Sequence, residues 1–301
     1  MADKLCGRII KSVGGLYTVS TDEGEIQCRA RGVFRHSNIS PLVGDIVTVA
    51  LDDNKNMVIS EIEERTNSLI RPPLANLDYV FVTFAAQSPA PMLDMTDKLI
   101  SILEYNKVEP VIIIGKSELN LEYAEELAKI YTTAGFSTFT LSCYDDFGVD
   151  AVREFIKENL TGKIAAFAGA SGVGKSTLLN KLFPSLELET NTVSRKTARG
   201  RHTTREVSLY NIDGVYLADT PGFSMLDFER FDFFDLDDLK YTFREFDDYI
   251  GECKYTKCSH TKEEGCAILS AVKEGKIPKS RHENYCMLYD ILKTKHKWDK
   301  K

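Results

Sequence analysis

A glycine-rich segment carries the most specific chemistry in this sequence. It reads GASGVGKST and fits the phosphate-loop pattern G-x-x-x-x-G-K-[ST]. The apolar run Lys163–Ala168 precedes it and the helix candidate Leu178–Leu182 follows it. Backbone N–H groups of such a loop surround phosphate oxygens, and the positive end of the following helix faces the anion. The segment therefore predicts binding of a nucleoside triphosphate. The predicted phosphate-binding residues are Gly169, Ala170, Ser171, Gly172, Val173, Gly174, Lys175, Ser176 and Thr177.

Several side chains near this loop could serve the terminal phosphate and its metal ion. Lys175 supplies a positive charge, and the hydroxyl of Ser176 is a predicted ligand of Mg²⁺. Asp219 begins a D-T-P-G segment after the strand candidate Gly214–Ala218, so its carboxylate is predicted to hold the water shell of the metal. Gly222 can bring a backbone N–H group to the γ-phosphate.

The polar residues 200–205 read GRHTTR and are typical of a mobile switch loop. A threonine hydroxyl in such a loop can bind Mg²⁺ when the γ-phosphate is present. Thr203 and Thr204 compete for this role, and we prefer Thr204. Phe223 stands where many GTPases carry the glutamine that orients the attacking water. His202 is the nearest polar candidate for that task, and an ordinary solvated histidine is the alternative.

A second group of residues could read the nucleotide base. After the buried strand candidate Val111–Ile114, the chain reads G-K-S-E, a degenerate form of the N-K-x-D motif of guanine-specific sites. Lys116 keeps the stem that packs on the base, and Glu118 keeps a carboxylate for guanine N1 and N2. Gly115 replaces an asparagine that ties loops together, so weaker base affinity or selectivity is expected. The predicted base-binding residues are Gly115, Lys116, Ser117, Glu118, Ser142 and Cys143.

The order of these motifs along the chain is unusual. The base-reading candidates precede the phosphate loop, whereas the usual order begins with the phosphate loop. Joining the ends of that fold and cutting it elsewhere gives the observed order, and chain ends at the surface permit such permutation. The switch segment and Asp219 then lead directly into the C-terminal part, to which nucleotide state could be transmitted.

Four metal-binding side chains lie close together near the C-terminus. Cys253, Cys258, His260 and Cys266 follow the spacing C-x4-C-x-H-x5-C. Three thiolates and one imidazole suit a closed tetrahedral Zn²⁺ site with a structural role. We expect the other cysteines to be ordinary thiols.

The hydrophobic pattern divides the chain into three predicted domains. Residues 1–66 contain five short strand candidates, which suit a small β-barrel of the OB or SH3-like type. Residues 67–226 alternate apolar strands with helices, as in a mostly parallel sheet covered on both faces. Residues 227–301 are aromatic and acidic, then cysteine-bearing, then basic and helical.

Composition limits the class of protein. The 301 residues are 43% hydrophobic and 28% charged, as in globular proteins, with a net charge of -7. No stretch approaches the roughly 20 apolar residues that cross a bilayer, so a cytoplasmic protein without a membrane partner is expected. Its seven cysteines then indicate free thiols or metal ligands rather than disulfides. We expect a monomer.

Taken together, these motifs resemble those of the circularly permuted, small-subunit-dependent ribosomal GTPases, the RsgA or YjeQ/YloQ family. The likeness covers nearly the whole chain. It includes the R-P and A-N-L-D sequences of the linker, the phosphate loop, G-R-H-T-T, D-T-P-G and the cysteine-histidine segment. One departure is Glu118, where the family generally keeps an aspartate.

The resemblance implies an N-terminal OB-type barrel, a permuted P-loop GTPase domain and a small helical zinc-binding domain. It also implies slow hydrolysis of GTP to GDP, stimulation by the small ribosomal subunit, and a role in late maturation of that subunit through its ribosomal RNA. His202 would be the catalytic residue. RNA contact would depend on Arg29, Arg31, Arg35 and the C-terminal lysines. A P-loop ATPase or kinase, and a nucleotide-gated RNA-binding module, are the alternatives.

Overall fold

The computed structural model of the protein describes residues 4–32, 34, 40–69, 72–184, 207–219 and 234–298, with backbone alone at 219 and 295–298. The N-terminal part is a closed barrel. Strand β1 pairs with both β2 and β4, β2 pairs with β3, and a parallel β3–β5 pair and an antiparallel β4–β5 pair complete the ring. Inward side chains such as Ile9, Val19 and Ile59 are fully buried. The predicted OB-type barrel is thus confirmed. Its strands are β1 (Leu5–Val13), β2 (Leu16–Thr21), β3 (Gly24–Ala30), β4 (Ile46–Leu51) and β5 (Met57–Ile62).

A short hairpin connects the barrel to the central sheet. It consists of β6 (Ser68–Leu69) and β7 (Leu74–Ala75), which pair antiparallel. The predicted domain boundary after residue 66 lies just before it and stays a prediction. The boundary after residue 226 lies outside the described residues.

The central part is built around five parallel strands in the order β10-β9-β8-β11-β13, with β12 antiparallel beside β13. Side chains of β8 alternate between the two faces. Val80, Val82 and Phe84 pack with α1 and α2, whereas Phe81 packs with α3 and α4. Because both faces are covered, the central strands β8, β9 and β11 are mostly apolar. The elements are β8 (Tyr79–Ala85), α1 (Leu93–Tyr105), β9 (Glu109–Gly115), α2 (Leu121–Thr133), β10 (Thr138–Thr140), α3 (Val149–Asn159), β11 (Ile164–Ala168), α4 (Lys175–Leu182), β12 (Ser208–Ile212) and β13 (Val215–Asp219).

The barrel and the central sheet are joined by strand pairing. Lys11 of β1 pairs antiparallel with Ser208 of β12, so that the barrel continues the sheet. Arg8 strengthens the junction, since its guanidinium lies 4.8 Å from the centroid of the Tyr216 ring and donates to the Gly162 carbonyl at 3.3 Å. Such a cation–π contact contributes about 0.5–1 kcal/mol at an exposed site.

The C-terminal part packs against α1. It contains the 3-10 helices Leu239–Thr242 and Arg244–Tyr249, then α5 (Ala267–Lys273) and α6 (Lys279–Trp298). An aromatic cluster of Phe243, Phe246 and Tyr285 forms its interior. The predicted helical C-terminal domain is therefore present. In the described ranges, no helix combines the length and the apolar character needed to cross a membrane.

A fully buried arginine joins this part to the central domain. Arg281 of α6 donates to Asp97 of α1 at 2.7 Å and to Glu245 at 2.7 Å. Asp97 also accepts from Asn284 at 2.6 Å and from Tyr131 at 3.2 Å. Burial opposes the charge of Arg281, but the two carboxylates raise its pKa above the ordinary value. The charged groups therefore satisfy one another inside the interface.

Replacing this arginine should destabilise the C-terminal part. Arg281→Met would leave the carboxylates of Asp97 and Glu245 buried without a cation, which costs about 3–5 kcal/mol of unfolding free energy. Urea unfolding would measure the loss. The control is Lys279→Met in the same helix, because the Lys279 side chain is 81% exposed and its removal should cost under about 0.5 kcal/mol. Equal unfolding midpoints for the two variants would contradict the assignment.

Candidate nucleotide-binding site and metal centre

The phosphate-loop segment connects β11 to α4, as its sequence predicts. Gly169 follows β11 with φ 145°, and a Cβ atom added there would lie 1.9 Å from the carbonyl oxygen of Thr83 on β8. Only glycine permits this approach of loop to strand. Gly174, with φ 102°, immediately precedes the first turn of α4. The loop backbone thus has two positions with positive φ angles that residues other than glycine rarely adopt.

Lys175 folds over this loop. Its ammonium donates to the carbonyl oxygens of Gly169 at 2.6 Å and Ala170 at 2.7 Å, and burial lowers its pKa. The positive charge therefore lies inside the curve of the loop, where the predicted phosphate would lie. Ser176 and Thr177 follow on the exposed first turn of α4.

The parallel sheet brings the separate motifs to one edge. Strands β8, β9, β10, β11 and β13 run in the same direction, so their carboxyl ends and the loops that follow lie together. The pairing of Ala166 with Ala218 places the Asp219 backbone beside the end of β11. His202, Thr203, Thr204 and Gly222 lie outside the described residues, as does the side chain of Asp219.

One cavity of about 310 Å³ unites the predicted base-binding and phosphate-binding residues. Gly115, Lys116, Glu118 and Cys143 line it, together with Gly174, Thr177 and Leu178 of the phosphate loop and its helix. Burial raises the pKa of the Cys143 thiol, so it lines the cavity as a neutral group. Tyr144, which the sequence analysis did not select, also lines this cavity. The cavity thus places groups predicted to read a base beside groups predicted to bind phosphate.

Close packing at the end of β9 explains why position 115 is a glycine. A Cβ atom added to Gly115 would lie 3.3 Å from the carbonyl oxygen of Val173, so the end of β9 packs directly against the phosphate loop. The loops after β9 and β10 are also joined by the backbone, since the N–H of Ser117 donates to the Leu141 carbonyl at 3.2 Å. Backbone contacts therefore connect the loops that the missing asparagine side chain would tie together.

The turn after β10 is held by its own polar groups. Ser142 is 1% exposed, and its N–H donates to the Phe147 carbonyl at 2.9 Å. Its hydroxyl accepts from the N–H of Tyr144 at 3.2 Å. Hydrogen bonds from the Ser142 hydroxyl and the Phe147 N–H lower the pKa of Asp145. The turn is therefore preorganised at the rim of the cavity.

The four predicted zinc ligands meet at one point. Their ligand atoms all lie within 4.8 Å of one another. The sulfurs of Cys253 and Cys266 are 3.8 Å apart, and the His260 Nδ1 atom lies 3.5 Å and 3.6 Å from them. A tetrahedral zinc ion with Zn–S bonds of about 2.3 Å would place its sulfurs about 3.8 Å apart. The donor set and its spacing therefore fit such an ion.

Hydrogen bonds around the cluster fix the ligand-bearing loop. The His282 Nε2–H donates to the His260 carbonyl at 2.8 Å, and the Ala267 N–H donates to the Cys253 sulfur at 3.3 Å. The Glu263 carboxylate accepts from the backbone of residues 259, 261 and 262. Although burial opposes the shift, hydrogen bonds from the Ser259 hydroxyl and from the N–H groups of Lys262 and Ser259 lower the pKa of Glu263 to about 2. These hydrogen bonds fix the backbone of the loop that carries the predicted zinc ligands.

Restoring an asparagine at position 115 should weaken nucleotide binding. In Gly115→Asn, the new Cβ would press on the Val173 carbonyl and displace the phosphate loop, at a cost of about 1–3 kcal/mol, or roughly 5- to 150-fold in GDP affinity. Calorimetric titration with GDP would measure this loss of affinity. Gly32→Ala is the control, because no atom lies within 4 Å of a Cβ at that position. Tighter GDP binding by Gly115→Asn would refute this interpretation.

Comparison with known proteins agrees with this geometry. Residues 62–229 match the model of the RsgA GTPase family, and residues 6–59 match that of the RsgA N-terminal domain. A protein of Clostridium perfringens strain 13 named "Small ribosomal subunit biogenesis GTPase RsgA" is 43% identical over 93% of this chain and 95% of its own length. A protein of the same name from Clostridium beijerinckii is 41% identical over 97% and 99%.

Two solved structures are similar along nearly their whole length. The crystal structure of YloQ, described as a circularly permuted GTPase, has a TM-score of 0.78 and 33% identity over 97% of this chain and 96% of its own. The crystal structure of YjeQ from Thermotoga maritima has a TM-score of 0.81 and 32% identity over 96% and 99%. This chain therefore belongs to the RsgA GTPase family. It has the circularly permuted GTPase fold and is a GTP hydrolase.

Proposed function

We propose that this GTPase binds the small ribosomal subunit, assists its late maturation, and hydrolyses GTP to GDP faster when bound to it. The observation that carries the proposal is the single cavity in which Glu118 and Lys116 share walls with Gly174 and Thr177. The names of the relatives support the partner, because each is named a small ribosomal subunit biogenesis GTPase.

The phosphate end of the cavity would hold the triphosphate. The backbone of residues 169–177 would donate to the phosphates, and Lys175 would exchange its loop carbonyls for phosphate oxygens. When bound, Mg²⁺ neutralises charge on the β- and γ-phosphates. The proposed ligands are the Ser176 hydroxyl, the Asp219 carboxylate, and the hydroxyl of Thr204, with Thr203 as the alternative.

The base end would select guanine through hydrogen bonds. Glu118 would accept from N1 and N2 of guanine, and the N–H groups of Ser142 and Cys143 are the candidates to donate to the base carbonyl. In the described structure the Ser142 N–H already donates to Phe147, which favours Cys143 as the donor. Gly115 and Ser117 would hold these groups in place through the loop contacts.

The reaction would need a group that positions water. Gly222 would donate its N–H to the γ-phosphate, and His202 would orient the attacking water, a role that the family resemblance supports. Orientation of a water molecule on the γ-phosphate is what the glutamine does in other GTPases.

The ribosomal RNA would contact basic side chains on two domains. Arg29 and Arg31 are exposed on and just after β3 of the barrel, and Lys279 and Lys293 are exposed on α6. Arg35 lies outside the described residues. Contacts between such residues and phosphates weaken steeply with salt. Binding to the subunit is therefore expected to be strongly salt-dependent.

Purified small ribosomal subunits should accelerate GTP hydrolysis. The release of phosphate from GTP would be measured with and without subunits, and His202→Ala should bind GDP normally while losing about 10²-fold or more of the stimulated rate. Large ribosomal subunits provide the control. An absence of stimulation would overturn the proposed partner, and an unchanged rate for His202→Ala would remove that residue from the mechanism.

The cysteine cluster is proposed to hold one structural Zn²⁺ through Cys253, Cys258, His260 and Cys266. All four positions of a tetrahedral ion would then be filled by protein atoms, which suits a structural role. The ion would hold together the loop between the 3-10 helix Arg244–Tyr249 and α5.

Removal of one ligand should release this metal. Cys258→Ser is expected to reduce bound zinc well below one equivalent by elemental analysis and to lower the thermal unfolding midpoint of the C-terminal part, since metal-binding free energy contributes to folding. Cys286→Ser is the matched control, because Cys286 lies on α6 outside the cluster. Full zinc occupancy in Cys258→Ser would exclude it as a ligand.

A further inference from the structure

The rim of the nucleotide cavity carries an aromatic side chain with no role so far. Tyr144 is 87% exposed, the largest exposure of the large hydrophobic side chains in the described part of the chain. It also lines the cavity that contains Lys116 and Glu118. Exposed aromatic rings beside a concave polar site commonly bind the planar part of a ligand.

The backbone that carries Tyr144 is fixed at several points. Its N–H donates to the buried Ser142 hydroxyl at 3.2 Å. Two residues later, Asp146 forms an ion pair with Lys181 of α4, the helix that begins at the phosphate loop. Arg153 of α3 donates to the Lys181 carbonyl at 3.1 Å. An ion pair therefore links the turn that presents the ring to the phosphate-binding helix.

Lys116 lines the same cavity from a different loop. It adopts a left-handed conformation with φ 56°, and its ammonium donates to the Ser88 carbonyl. Because that bond holds the charged end, the apolar stem is fixed between the end of β9 and Ser88. The cavity thus has one aliphatic and one aromatic wall group, contributed by adjacent loops at the end of the sheet.

We propose that the Tyr144 ring stacks on the purine base of the bound nucleotide, with the Lys116 stem as a second apolar contact. This inference rests on the proposed nucleotide site. Every base has a π-face, so stacking adds affinity but does not distinguish one purine from another. Selection of guanine then falls on Glu118, and Tyr144 supplies general affinity in a site whose base-reading motif lacks its asparagine.

A matched control lies in the same turn. Phe147 is also aromatic and is 54% exposed, but it is not among the residues that line the cavity. Truncating either side chain removes a similar exposed ring from the same loop. Only Tyr144 should affect nucleotide binding if stacking, rather than loop stability, is responsible.

The test compares GDP with inosine diphosphate, which lacks the 2-amino group of guanine, in calorimetric titrations of the full-length protein. Tyr144→Ala should weaken the binding of both nucleotides by the same factor, about tenfold. Tyr144→Phe and Phe147→Ala should bind both like the wild type. Glu118→Ala should weaken GDP binding more than inosine diphosphate binding.

The outcomes separate the two proposals. If the wild type binds GDP and Tyr144→Ala binds it equally well, stacking is overturned while the nucleotide site stands. If Tyr144→Ala weakens the binding of GDP but not of inosine diphosphate, the stacking proposal is also overturned, because the side chain would then recognise the 2-amino group. A wild-type protein that fails to bind GDP would overturn the nucleotide site and the stacking together.

Discussion

The parallel pairing of β8 with both β9 and β11 is the constraint on which the nucleotide site depends. This pairing places Gly115 at the end of one neighbour and Gly169 beyond the end of the other. Because their carboxyl ends share one edge, the loops that follow must converge. The position of the chain ends does not alter this geometry. A permuted chain can therefore assemble the same kind of site as one that begins with the phosphate loop.

The close packing of backbone at this edge explains which residues are tolerated. Gly169 lies against Thr83, and Gly115 lies against Val173, so the phosphate loop is packed against both β8 and β9. At Gly169 a side chain would collide with a carbonyl group. At Gly115 the contact is looser, and the backbone packs directly against the phosphate loop. The position predicted to depart from the usual base-reading motif is thus also a point of close backbone packing.

Features encoded in short segments were predictable from the sequence. The strand, glycine-rich loop and helix around Lys175 follow one another directly, and the cysteine spacing lies within one loop region. The five-stranded barrel and the apolar strands were also recognised from local pattern. The contacts of Arg281 with Asp97, and of Gly115 with Val173, join residues far apart in the chain, and no local pattern specifies such pairs. Tyr144 was missed because its only signal is its place beside Ser142 and Cys143.

The C-terminal part has a second connection to the nucleotide site besides the covalent one that follows Asp219. Helix α1 contacts it through Asp97, which binds Arg281. The preceding residue, Thr96, lines a cavity of about 170 Å³ together with Gly169 and Ser171 of the phosphate loop. Adjacent residues of helix α1 therefore line a cavity shared with the phosphate loop and bind Arg281 of the C-terminal part.

The pairing of β1 with β12 has a consequence for solubility. An open sheet presents unpaired N–H and C=O groups at its outer strands, and these can recruit strands from other molecules. At one side of the central sheet, the barrel occupies the outer edge of β12 near Ser208. At the other side, β10 has only three residues. One outer edge is therefore partly covered by the barrel and the other is short, and both features limit the template that the sheet offers to strands of other molecules.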